Sequence, residues 1–107
     1  MSNSRTDDWR RVVEAGHNGD QATAREFLSD NDPVLRELSL SALARLSTLT
    51  DDELLVAFGD HDHGVRRRAA LLAATRRELS MLVLLRDAQA SVVEAAAWAC
   101  GEHEVVS

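Results

Sequence analysis

The sequence predicts an all-α protein built as a helical solenoid, and three observations predict it. Its 45% hydrophobic content is mostly Ala, Leu and Val, with 4% aromatics, no Tyr and one proline, Pro33; this composition favours close-packed helices over sheets. Short segments of helical period follow one another, each with a start signal. Finally, Asp32 to Ala44 lines up with Asp62 to Ala74 and, more loosely, with Gln89 to Gly101. Periods of about 30 and 27 residues mark a solenoid whose two-helix units bury their apolar faces on one another.

The elements follow from local chemistry. Thr6, with Asp7 and Asp8 behind it, can cap a first helix whose Trp9, Val12 and Val13 share a face and which Gly16 can close. Asp20 opens a second, carrying Ala24, Phe27 and Leu28 at helical spacing, up to the stop Ser29-Asp30-Asn31-Asp32-Pro33. Pro33 suits the first turn of a third helix reaching about Ser47. Thr50 and Glu53 form a capping box for a fourth that ends near Gly59. After the turn 60–64, Val65 to about Leu79 reads as a long helix that is apolar on most of its circumference. Ser80 can cap a short one, Met81 to Arg86, and Ser91 with Glu94 is a second capping box, opening a helix that stops at Gly101.

A chain of 107 residues supports one domain, because two independent cores would each be too small. Residues 1–107 are therefore read as a single repeat domain: a degenerate N-terminal helical pair at 6–29, recognisable repeats at 30–101, and a tail at 102–107. No apolar run approaches a membrane span, the start lacks the apolar stretch of a signal peptide, and Cys100 has no partner for an internal disulfide, so a cytoplasmic location is expected. The net charge of −6 works against nucleic-acid backbones and anionic membranes.

At the repeat the chain resembles the HEAT-repeat superfamily, in particular short bacterial HEAT-like repeats whose second helix reads roughly Asp-Pro-x-Val-Arg-x-x-Ala-Ala-x-Ala-Leu-Gly. The resemblance covers residues 30 to 101 and departs from the pattern at Ala44 and Ala74, which hold the Gly position, and at Gln89 and Val93, which replace Asp and Arg in the third copy. It implies a right-handed α-α superhelix of about three to four helical pairs, with partner binding on the concave surface. Physical chemistry explains the recurrent residues independently. Asp32 and Asp62 sit where a carboxylate caps a helix, and Arg36 and Arg66 can pair with that Asp or the preceding repeat's. Ala69, Ala70, Ala73, Ala74, Ala95, Ala96, Ala97 and Ala99 allow close approach of axes, with Leu40, Leu43, Leu72 and Val65 filling the remaining space.

At 100° per residue, Val65, Ala69, Leu72 and Ala73 share one face of the long helix and leave Arg67, Arg68, Leu71 and Thr75 opposite. Equivalent places hold Glu37, Ser41 and Arg45 in the first repeat and Glu94, Trp98 and Glu102 in the third. The expected function is non-enzymatic: a protein-interaction module or adaptor that binds an unidentified protein on Glu37, Ser41, Arg45, Arg67, Arg68, Leu71, Thr75, Glu94 and Trp98. Exposed, Trp98 is a hot-spot candidate; packed on a neighbouring helix, it is only a large core residue.

Two alternatives are weighed against the adaptor. Nucleic acid could be held by Arg67 and Arg68 with Arg66, Arg76 and Arg77, since HEAT-like DNA-repair glycosylases cradle a duplex; helix-end placement and the acidic excess disfavour it. An enzyme or enzyme subunit, such as a HEAT-like phycobilin lyase, lacks any supporting phosphate loop, nucleophile elbow or carboxylate pair. No cofactor or metal is implied, because His61, Asp62 and His63 are adjacent and cannot all turn to one ion, and they read as a polar inter-repeat turn. Cys100 reads as a buried, inert thiol, while His17 in a turn and His103 in the tail read as solvated. With no polar outer helix after Gly101, the apolar side made by Val92, Val93, Ala96, Val105 and Val106 is expected to be covered by a partner or in a homodimer.

Overall fold

The computed structural model describes residues 4–105, with side chains at 5–104. The described residues are all-helical, with no strand: α1 Ser4–Asn18, α2 Gln21–Glu26, α3 Pro33–Arg45, α4 Asp51–Phe58, α5 His63–Leu72, a 3-10 turn Ala73–Thr75, α6 Leu82–Leu85 and α7 Ala90–Val105. None of these helices is long and apolar enough to cross a membrane. The chain divides into two compact units, Met1–Leu49 and Thr50–Ser107.

In the first unit α1, α2 and α3 pack on one another. The first helix starts earlier than Thr6, because Arg5 and Trp9 already reach across to Asp32 at the N-terminus of α3. It also runs past Gly16 to Asn18. Gly19 makes the stop, at φ +79, and the Asp20 N–H returns to Ala15 O at 3.0 Å. Gly16 serves packing instead: a Cβ there would come within 3.1 Å of Ala42 Cβ, so its absence lets α1 and α3 approach. Asp20 caps α2 by accepting from the Thr23 N–H, and Asp32 caps α3 by accepting from the Val34 N–H, with Pro33 in the first turn. The third helix ends at Arg45, short of Ser47. Ser47 takes φ 59 while its N–H and that of Thr48 return to Ala44 O and Leu43 O, a Schellman stop made without glycine.

In the second unit α4 packs on α5, α6 on α7, and α5 on α7. The capping box at Thr50 and Glu53 forms in both directions. The helix expected over 65–79 is shorter. Asp62 caps it from one turn earlier, and it tightens into the 3-10 turn at Ala73, whose carbonyl accepts from Arg76 N–H at 2.9 Å and from the His103 ring at 2.7 Å. His103 is thus a half-buried clamp rather than a solvated tail residue, and its Nε2 must carry the proton to donate. Ser80 Oγ accepts from Leu82 N–H at 3.3 Å, and the helix it precedes is a single turn. The capping box expected at Ser91 does not form, since α7 begins at Ala90, ahead of it, and continues through Gly101 to Val105. Gly101 has nothing within 4 Å and imposes no stop. Close approach of α5 and α7 uses buried Ala69, Ala70, Ala73, Ala95, Ala96 and Ala99, whereas Ala97 is exposed and Leu72 half-buried.

The repeat has a hydrogen-bonded signature that begins two residues before the expected Asp positions. Asp30, Asp60 and Asp87 each accept through Oδ1 from the backbone N–H two residues on, all at 2.9 Å. Their own N–H groups return to Phe27 O, Ala57 O and Leu84 O. Arg36 and Arg66 then donate to the Asp30 and Asp60 carbonyls at 2.7 and 2.8 Å. Arg66 pairs with the following repeat's Asp87, not with Asp62 or a preceding one, through two bonds of 2.7 and 3.1 Å. That arginine holds Asp87 below the usual carboxylate range against its partial burial, and is itself raised by it. The third copy therefore shares the turn Asp, at 87, while Gln89 holds the cap position of Asp32 and Asp62.

Candidate functional site

Ion pairs remove part of the basic surface before any partner is considered. Arg66 belongs to Asp87, and Arg76 Nη1 lies 2.5 Å from Asp51 at the start of α4. Of the five arginines considered for phosphate, Arg67 and Arg77 are exposed and Arg68 is half-buried. Asp62 spends its carboxylate on the Val65 N–H between exposed His61 and His63. Among the described residues no group of three or more metal-ligating side chains comes together.

The expected partner-binding residues lie on both units. In the first, Glu37 and Ser41 are half-buried and Arg45 is exposed on α3. Ser41 and Arg45, with Val13, Gly16 and His17 of α1, line a shallow pocket of about 200 Å³. In the second, α5 and α7 pack side by side and carry the remainder. Arg67 and Glu94 are exposed, Arg68 and Leu71 are half-buried, and Thr75 is exposed in the 3-10 turn. Trp98 is 51% exposed, which decides against its being a core residue. Cys100 is partly exposed rather than buried, and His17 is exposed but belongs to the last turn of α1 rather than to a loop.

The face expected to need cover at the C-terminal end is partly filled already. Val92 and Ala96 are fully buried and Val93 is half-buried, while Val106 and the Val105 side chain lie outside the described residues. Open apolar surface lies instead on the first helices of the second unit's hairpins. Leu55 and Val56 of α4 are 48% and 78% exposed, and Leu82 and Val83 of α6 are 52% and 63% exposed. With Phe58, Gly59, Ser80 and Arg86, three of these four line a groove of about 670 Å³. The sequence carries a signal for it: residues 54–58 and 81–85 are unbroken apolar runs on helices of two turns or one, where burying a single face uses only two or three residues.

No family model, curated protein or solved structure matches this chain.

Proposed function

We propose that the chain is a non-enzymatic adaptor, a short HEAT-like solenoid that binds a partner protein on its second-helix face. The observation that carries this reading is Trp98, a large aromatic half open to solvent on an ordered helix. Counted from the turn aspartates Asp30, Asp60 and Asp87, it occupies the same repeat position as Ser41 and Leu71. Exposed Arg67 on the adjoining helix adds a second residue type that concentrates binding energy. The solenoid reading is supported by two hairpins with equivalent turns and by second helices that pack side by side within the second unit.

The test is capture from the native cell extract by wild-type protein and by an Arg67→Glu, Leu71→Asp, Trp98→Ala variant, after equal helical circular dichroism is established. A protein held by the first and lost from the second is the expected result. Identical captures, or none, would overturn the proposal.

A further inference from the structure

Three hairpin turns that share the two hydrogen bonds of their Asp make the molecule its own control. Reading back from Asp30, Asp60 and Asp87, one position is Ala24, Leu54 or Met81 and another is Phe27, Ala57 or Leu84, and all six are buried. The two positions between them are exposed in the second and third repeats, and in the first one is half-buried and the other exposed. They hold Arg25 and Glu26 in the first repeat, but Leu55 and Val56 in the second and Leu82 and Val83 in the third. Arg25 has polar work there, donating to Thr48 O and Gln21 Oε1, and Glu26 receives Arg11. The backbone therefore accepts a polar pair at this site, and the aliphatic pairs of the second unit are not required by the turn.

We propose that this α4–α6 face is the contact of a homodimer, with α4 of one copy laid antiparallel on α6 of the other. With Leu85, 37% exposed, the four aliphatics leave on the order of 450 Å² open, the size of patch that marks an interaction site. Two such patches face to face remove about 900 Å² before the rims are counted, which with them reaches the ~1,200 Å² of a stable contact. Charge fits the same arrangement. In the first turn of α4, Asp51 is held by Arg76 and Glu53 by the cap, and exposed Asp52 makes no ion pair among the described residues. Arg86, at the far end of α6 and lining the groove, makes none either. The antiparallel pairing brings Asp52 of each copy to the other copy's Arg86, so the two-fold contact closes both charges.

Sedimentation velocity from micromolar to near-millimolar protein tests this with the chain alone. Wild type should pass from monomer to dimer. Replacing the aliphatic pairs by the first repeat's own residues, Leu55→Arg, Val56→Glu, Leu82→Arg and Val83→Glu, should leave a monomer with unchanged helical signal. A wild type that stays monomeric, or a dimer that survives these replacements, overturns the proposal. Should that variant fail to fold, the charges decide: Asp52→Arg and Arg86→Asp should each weaken dimerisation by about fivefold and together restore it, whereas independent effects contradict the contact.

Discussion

Gly16 and Gly101 both lie inside helices, yet they ask for opposite substitutions. At Gly16 the Cβ of alanine meets Ala42 Cβ at 3.1 Å and its Cα at 3.2 Å, and a backbone atom cannot turn aside. Crowding between packed helices outweighs the gain in helix propensity, so Gly16→Ala should destabilise by about 1 kcal/mol. Gly101→Ala meets nothing and should stabilise by about 0.5–1 kcal/mol. A third residue stores its cost in the backbone. Ser47 holds φ 59 in a stop that glycine would make without strain, so Ser47→Gly should add about 1 kcal/mol. Urea unfolding of the three variants checks all the signs, and a stabilised Gly16→Ala would mean that α1 and α3 are not closely apposed.

Asp32 ties two helices through one carboxylate. It caps α3 through the Val34 N–H while Oδ2 accepts from Arg5 at 2.8 Å and from the Trp9 indole N–H at 2.9 Å. Its hydrogen bond with Arg5 is the largest cause that holds the carboxyl down at about 2, with Trp9 and Val34 adding to it against partial burial. Since the folded value lies below the ordinary 3.8, this contribution is complete above that value and fades as pH falls through about 2. Asn keeps the capping oxygen but not the charge, so Asp32→Asn should lose about 1 kcal/mol at neutral pH and match wild type near pH 2. Denaturant titrations read by circular dichroism at both pH values make the comparison, and a loss independent of pH would assign Asp32 to capping alone.

Local chemistry made Asp20, Asp32, Pro33 and the Thr50 capping box readable, because each acts within one turn of its own residue. The ends that differ were settled by residues far along the chain. Ala42 uses Gly16, Asp32 anchors the turn ahead of Thr6, and His103 takes the carbonyl at which α5 tightens. Ser91 and Glu94 carry the letters of a capping box, but the turn set by Asp87 starts the helix before them.

At the scale of the molecule, the Asp-turn signature organises the helices after α1 into equivalent hairpins, and their outward positions carry whatever distinguishes one repeat from the next. Of the expected surface, repeat equivalence singled out Trp98 but left it either exposed or packed, and its 51% exposure decides between the two. The aliphatic pairs at 55–56 and 82–83 were missed because the number of residues in an apolar run that one short helix can bury was not counted. The two proposals divide the work between two surfaces: second helices for a partner, and first helices of the second unit for another copy of the chain.

The most direct measurement of that division is parallel capture with three baits: wild type, the Arg67, Leu71 and Trp98 variant, and the variant carrying Arg-Glu at 55–56 and 82–83. The account predicts a partner that is lost with the second bait and retained by the third, which is itself monomeric. Loss with the third bait alone would contradict it, by moving partner binding to the α4–α6 face.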